Sequence, residues 1–509
     1  MIQVESIFSG GGGSTSEPLD PVEVYNNTRP ADWLPMPTPA DNELYLLFHI
    51  PDGVSSLLAF TVTCTGNYTV ALGTVSGGSF VASSSVDIAS GSKYEAEPFA
   101  DDYGNLTSDG HKQVMVKVSG TNILTWAPST HSKKTSPKNF AGWNIVEISC
   151  NLPSGTSVAC GSSTGNLALR KLWYFTWYGK NAVTSMANMF HNCYSLTAIP
   201  QLNTSAVTNM SQIFYYCSSL TAIPQMDTSA VTNMSYMFAN CYSLTAIPQL
   251  DTSAVTNMNS MFNGCYSLTA IPQMDTSAVT DMSYMFNGCY SLTAIPQLNT
   301  SAVKNMTNMF RNCPSLTAIP QLNTSAVTDM SYMFNSCYSL TAIPQLDTSA
   351  VKNMSYMFNY CNSLTAIPQL NISAVKNMSY MFNGCYSLTA IPQLNTSAVA
   401  YMNNMFSNCY SLMAIPQLNT SAVKNMGNMF NSCPSLTSIA FDNTVTGWAG
   451  YAVSLQDCSL GHAAIVAFFN SLPTITSAKA ITLTGNPGVS ELTDAEKAIA
   501  TGKGWTLTL

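Results

Sequence analysis

Along the middle of this chain, apolar and polar positions recur on a stride that never changes. Cysteine stands at 193, 217, 241, 265, 289, 313, 337, 361, 385, 409 and 433, always 24 residues apart. Leucine follows three residues after each, from Leu196 to Leu436, and isoleucine six after, from Ile199 to Ile439. Met-Phe precedes each cysteine, with Ile213-Phe214 the variant. Within one unit, Val207, Met210, Ile213 and Phe214 fall on one face of a short helix. Asn203-Thr204-Ser205 ahead of them has the chemistry of an N-cap, and Asn-Gly or Asn-Ser after phenylalanine that of a stop. Ser-Leu-Thr-Ala-Ile then predicts a short strand that ends near a proline, which cannot donate to a ladder.

One such unit cannot bury its apolar face alone, but stacked copies bury a continuous column of Leu, Ile, Val, Met and Phe. The pattern therefore predicts an α/β solenoid of eleven 24-residue coils over residues 179–440. At roughly 4.8 Å per coil, that is a rod or shallow arc about 50 Å long.

The flanks read differently. Residues 1–40, with Gly10–Gly13 and a proline-rich run from Pro30 to Pro39, predict an attachment tail and linker. Residues 41–178 predict an all-β sandwich, with strands at Glu43–Ile50, Leu57–Cys64, Tyr68–Thr74, Gln113–Val118, Ile123–Trp126, Trp143–Cys150 and Leu167–Trp177. Residues 441–509 predict a C-terminal α/β cap over the last coil: helices at Gly461–Leu472 and Thr493–Thr501, strands at Ala480–Thr484 and Trp505–Leu509.

Composition narrows the function. The chain has 509 residues, 46% hydrophobic but only 9% charged, against about 25% charged in ordinary domains. A net charge of −8 without a basic patch argues against nucleic acid. Apolar runs such as Leu44–Ile50 are far shorter than the roughly 20 residues that cross a bilayer, so no membrane insertion is expected. The start, MIQVESIFSGGGG, does not read as a secretion signal. The 15 cysteines are odd in number and the repeat offers no CxxC pair, so Cys193 to Cys433 are read as small, buried, reduced packing residues, with disulfides between neighbouring coils the alternative.

The repeat resembles the BspA-type leucine-rich repeats, in the subtype SxVTxMxxMFxxCxSL. Ser205, Val207, Thr208, Met210, Phe214, Cys217, Ser219 and Leu220 stand at the matching positions, and the resemblance covers about residues 181–440. It implies a curved solenoid and a surface protein that binds host or neighbour surfaces. The loop after isoleucine is short here, Pro-Gln-Leu, so the curvature is open. The segment NNTRPADWLPMPTPADNELYLLFHIPDG resembles modules of phage tail or fibre proteins from gut bacteria, and LTGNPGVSELTDAEKAIATGKGWTLTL is similar to the closing segment of such repeat proteins.

Candidate chemistry is sparse. Gly161-Ser162-Ser163-Thr164-Gly165 matches GxSxG, but a strand-like run follows where an esterase elbow needs a helix. His49, His111, His131, His191 and His462 are scattered, so no metal or other cofactor is expected. Asp227, Asp251 and Asp275 occupy one column, where they act as caps or, alternatively, as a cation site or glycosidase pair. Lys304, Lys352, Lys376 and Lys424 share another column, read as a solvated edge.

Variation gathers beside Met-Phe-Cys, where Tyr, Asn, Ser and Gly dominate, the vocabulary of antibody loops. The candidate receptor-binding residues are Tyr194, Tyr216, Tyr236, Tyr242, Tyr266, Tyr284, Tyr290, Tyr332, Tyr338, Tyr356, Tyr360, Tyr380, Tyr386 and Tyr410. Drift at exposed positions is the plainer account of the same variation.

The expectation is a non-catalytic phage fibre or receptor-binding protein. It would be assembled in the host cytoplasm and released in the virion. The N-terminal part would meet other virion or tail proteins, and the solenoid a bacterial surface glycan or protein receptor; a homo-oligomer such as a trimer is left open. Alternatives are a secreted adhesin on the bacterial cell surface, a glycan-degrading spike, or a structural decoration protein.

Overall fold

The structure, a computed structural model, describes residues 31–51, 58–96, 105–108, 110–128, 145–152, 157–158, 172, 174–177, 183–199, 201–439 and 452–509. The Gly10–Gly13 tail, the Gly161–Gly165 loop and His131 lie outside the described residues.

The N-terminal part is all β. Its strands are β1 (Glu43–Pro51), β2 (Leu58–Ser76), β3 (Ser79–Ala89), β4 (Lys93–Ala96), β5 (Asn105–Leu106), β6 (His111–Pro128), β7 (Ile145–Asn151), β8 (Ser157–Val158) and β9 (Tyr174–Trp177). They form one hydrogen-bonded network, ordered β3-β2-β6-β1-β7-β9 along its main path, rather than two separate sheets. The reason lies in β2 and β6. Each merges two of the expected strands into one, and their pairing shifts register between Thr63 and Tyr68, where a bulge bends a strand without ending it.

Alternate residues of β1 point to opposite faces, and both faces are covered. Leu44, Leu46, Phe48 and Ile50 join the main core, while Tyr45 and Leu47 pack with Trp33, Leu34, Met115 and Val146. Trp33 and Leu34 were expected in the linker. They instead seal the back of this sheet, and the Leu34 amide donates to Gln113 Oε1 at 2.6 Å.

The main core continues without a break from Leu44 through the solenoid to Trp505. At the junction, Phe175 of β9 meets Phe190 edge-on at 5.2 Å. From Phe190 to Phe430 the phenylalanine rings of successive coils stack at 5.5–5.7 Å.

The helix expected in each coil is not formed. Residues such as 283–288 run as consecutive tight turns, and no helix occurs among the described residues of 183–439. The backbone bonds show why. Met282, Tyr284, Phe286 and Gly288 donate upward to Asn305, Thr307, Met309 and Arg311 of the next coil, at 2.8–3.2 Å. The residues between them, Met285, Asn287 and Cys289, donate three positions back within their own coil, at 3.1–3.2 Å. Tyr284 and Gly288 have φ of 57° and 73°. A left-handed residue every fourth position cannot belong to a right-handed helix. It does aim alternate N–H groups along the stack. The expected Ser-Leu-Thr-Ala-Ile strand is likewise reduced, in most coils, to two long backbone bonds to the coil before, as from Ser219 to Tyr194 O at 3.2 Å and from Thr221 to Thr197 O at 3.3 Å.

The cysteines fall into one buried file. None is paired among the described residues. Each thiol from Cys217 to Cys433 donates to the phenylalanine carbonyl of the coil before, as from Cys289 to Phe262 O at 3.1 Å. Burial pushes the thiols from Cys241 to Cys409 up, Cys337 and Cys409 to about 12, so the reactive thiolate is suppressed there.

The C-terminal region extends the stack. Cys458 takes the next place in the file, with its Sγ 3.2 Å from Phe430 O. Beyond it, β10 (Val453–Ser454), β11 (Lys479–Thr482) and β12 (Trp505–Thr508) pair in parallel. Two helices, α1 (His462–Ser471) and α2 (Asp494–Thr501), close the end, the second behind a Thr493–Glu496 capping box. Buried Asn486 ties this region together. Its amide donates to Leu455 O and Leu483 O, and its oxygen accepts from the Leu460 amide.

Two measurements check this packing. Alkylation of the native protein, mapped by peptide mass, leaves Cys193 to Cys433 unmodified, whereas denatured protein reacts at every one; labelling within this file at native rates would contradict the burial. Gly384→Ala, at φ 71° with the new Cβ 2.5 Å from the Tyr360 ring, lowers stability by about 1–2 kcal/mol in urea unfolding.

Candidate functional site

The solenoid offers two long surfaces. The first carries the tyrosines, which the structure sorts into three files. Tyr236, Tyr284, Tyr332, Tyr356 and Tyr380 stand at the first left-handed position of the coil, with φ of 55–59°. Tyr216 and Tyr360 stand at the second, at 57° and 58°. Tyr194, Tyr242, Tyr266, Tyr290, Tyr338, Tyr386 and Tyr410 follow the cysteine. The first two files explain much of the observed variation, because Asn and Gly are the residues that tolerate positive φ. Tyrosine has no such advantage there, so its presence needs a different cause.

Stacking supplies part of that cause. Tyr242, Tyr266 and Tyr290 form one continuous pile, with centroids 4.6 and 4.7 Å apart. Tyr332, Tyr356 and Tyr380 form another at 4.4 and 4.5 Å, and the Arg311 guanidinium lies 5.4 Å from the Tyr332 ring. Tyr386 and Tyr410 pair at 4.8 Å. Tyr194, Tyr216 and Tyr242 meet edge to face instead, each 6.2 Å from the next. Burial holds Tyr242 and Tyr356 in the neutral phenol form, Tyr356 pushed up to about 12. Several rings stay open to solvent, including Tyr266, Tyr290, Tyr338 and Tyr410 at 38–45% exposure. Tyr401, 43% exposed, stands apart from these files, in the bridge column otherwise filled mostly by Asn and Asp, so the sequence pattern passed over it.

The second surface was not anticipated. An elongated trough of about 1840 Å³ runs over seven coils, from Gln273 to Gln417, and a smaller hollow of about 470 Å³ continues it over Gln225 to Asp275. It is built from the Gln-Leu-Asn-Thr stretch of each copy, with Met274, Asp275, Asp347 and Ile372 the departures. Leu298 and Thr300 are buried in its floor, while Gln297 and Asn299 are exposed. Each glutamine amide, from Gln201 to Gln393, donates to the glutamine carbonyl of the next coil at 2.5–2.8 Å. Most of the threonine hydroxyls do the same to the Asn or Asp carbonyl one coil on, at 2.7–2.8 Å. The signal for this surface was the glutamine, constant from Gln201 to Gln417, which repetition alone does not require at an exposed position.

The aspartates serve as turn formers. Oδ1 of Asp227, Asp251 and Asp347 accepts from the hydroxyl and the amide of the serine two residues on, and Asp275 from the Ser277 amide. These bonds hold all four carboxyls below the usual range. A glycosidase pair needs one carboxyl raised enough to carry a proton, and none of these four is. The expected helix caps are therefore caps of turns. Among the described residues, no three His, Cys, Asp or Glu side chains converge as metal ligands.

A backbone ladder of identical coils with parallel side-chain files defines a solenoid repeat protein. The model of the family described as "Mycoplasma protein of unknown function, DUF285" matches residues 176–268, 242–342, 292–389 and 338–448, together just over half of the chain. The chain belongs to that family. No curated protein matches it. Among solved structures it is similar to a leucine-rich repeat protein of T. pallidum (21% identity, 42% of this chain and 90% of that one, TM-score 0.26). It is also similar to one of Eubacterium ventriosum (17% identity, 54% and 80%, TM-score 0.35).

One titrating group tests the first coil. His191 is buried, stacks on Tyr215 at 4.6 Å, and has its pKa lowered by burial to about 4. Its neutral ring stabilises the fold fully above the ordinary value of 6.5, and that stability declines as pH falls from there toward 4. Thermal midpoints followed over this window fall less in His191→Asn, since asparagine fills the same file at Asn263 and Asn287.

Proposed function

We propose that this protein is a non-catalytic adhesin whose solenoid presents its tyrosine files to a bacterial envelope. The observation that carries the reading is the surface stacking of Tyr242-Tyr266-Tyr290, with Tyr266 and Tyr290 exposed, and of the half-buried Tyr332-Tyr356-Tyr380. Piled rings give a rigid, amphipathic surface at small entropic cost, and a repeated one gains by multivalency. Within this proposal, the protein is a fibre or receptor-binding component of a phage virion, anchored through its N-terminal region. The likeness of residues 26–53 to phage tail modules supports that assignment. So does the file of unpaired thiols, which suits a chain folded in a reducing cytoplasm and released by lysis. A second reading, an adhesin on a bacterial cell surface, is favoured by the family description, which names a bacterium.

The test uses full-length protein with Tyr266→Ser, Tyr290→Ser, Tyr356→Asn and Tyr380→Asn combined. Serine or asparagine already fills these files at Ser218, Asn308 and Asn404, so the fold is kept. Labelled wild type decorates some strains of a panel of gut bacteria, and the variant loses at least tenfold of that signal at an unchanged thermal midpoint. Undiminished binding would remove the tyrosine files from the account.

A further inference from the structure

We infer that the Gln/Asn trough is a binding site for an extended, neutral, hydroxyl-rich polysaccharide chain lying along the solenoid axis. The inference stands apart from the tyrosine reading, because it concerns a different surface and different chemistry.

The side chains of the trough are half used. From Gln201 to Gln393, each glutamine Nε2 is committed twice, to the carbonyl of the residue after it and to the next coil; Gln297 makes these bonds at 3.2 and 2.5 Å. No donor of the described residues reaches its Oε1. Asparagines show the converse. Asn323 Oδ1 accepts from the Ser325 amide and hydroxyl at 3.2 and 2.8 Å, and among the described residues nothing engages its Nδ2. The trough therefore presents a row of fixed acceptors beside a row of donors at Asn299, Asn323, Asn371 and Asn395, interrupted by Asp275 and Asp347, above a buried floor made mostly of Leu and Thr. Because each amide is already held by its structural bonds, a ligand need not order it, which lowers the entropic cost of binding.

The spacing selects the occupant. Glutamine acceptors recur in successive coils and asparagine donors in most, at an interval bracketed by the ring spacings of successive coils, 4.4–4.8 Å between tyrosines and 5.5–5.7 Å between phenylalanines. One hexose of a straight β-1,4-linked chain spans about that interval and offers several hydroxyls, each both donor and acceptor. An extended polypeptide advances about 3.3 Å per residue and falls out of register. Nucleic acid is disfavoured by Asp275 and Asp347 in the lining and by the net charge of −8.

The experiment is calorimetric titration of full-length protein with cello- and manno-oligosaccharides of two to six units. At least one series binds, and its affinity rises tenfold or more from dimer to hexamer as further coils engage. Two pairs of substitutions then weaken the hexamer at least tenfold. Gln321→Lys with Gln345→Lys keeps a donor for the ladder and removes the free acceptor. Asn323→Asp with Asn371→Asp keeps the turn, as Asp347 already does, and removes the free donor. Absence of binding in both series, affinity independent of length, or affinity unchanged in the Asp pair at an unaltered thermal midpoint would overturn the inference. The tyrosine variant keeps full oligosaccharide affinity, so failure of one site is not confused with failure of the other.

Discussion

Alternate backbone N–H groups in each turn-rich segment reach to the next coil, and everything else in the solenoid follows from that. A buried amide without a partner costs about 1–3 kcal/mol, so coils packed this closely must exchange bonds at every opportunity. The exchange works only if equivalent residues stay level, which forbids insertion and fixes the 24-residue stride. It also forces a left-handed residue at every fourth position of the segment, as at Tyr284 and Gly288. The local backbone is strained so that the stack can be saturated. A helix would have satisfied its own amides and left neighbouring coils joined by packing alone.

Side chains extend the same principle. Phenylalanine carbonyls accept from a cysteine amide in their own coil and a thiol from the next, as Phe262 O does from Cys265 and Cys289. Glutamine and threonine serve other carbonyls in the same way. Where Ile372 replaces threonine, the side chain is simply buried and one bond of that file is missing. This economy explains the low charge. A charged residue repeated in a file places like charges one coil apart, and at 4–5 Å that repulsion costs about 1 kcal/mol even in water. Asparagine has the same shape as aspartate and accepts the same serine bonds without the repulsion, which is why it fills most of the column.

Much of this was legible in the sequence. The stride and the buried cysteine file were visible as periodicity, and the two helices and last two strands of the C-terminal region as local patterns after the period breaks. The helix was misread because Val207, Met210, Ile213 and Phe214 also fit successive turns that keep one face inward. Apolar spacing cannot tell an i to i+4 bond from a left-handed residue followed by a bond to the neighbouring coil. Strand β3 was missed because its residues, SFVASSSVDIA, are mostly small, polar and exposed, with no buried face to produce alternation. Cys458 was missed because leucine follows it after two residues, at Leu460, where the repeat has three. The trough was hidden by its own regularity, since constant residues look structural and its glutamines are structural through one of their two polar atoms.

Identical coils pose a problem for recognition that variable loops do not. A linear ligand can slide by one coil and meet nearly the same groups, so repetition raises affinity through the number of equivalent registers rather than through a single optimum. Specificity must then reside where the files are interrupted. On the tyrosine surface, Pro314 and Asn362 break one file, and Ser260 and Asn308 another. In the trough, the succession Asp275, Asn299, Asn323, Asp347, Asn371 and the loss of a hydroxyl at Ile372 mark positions along an otherwise uniform track. The constant residues build the stack, and the irregular ones give it an address.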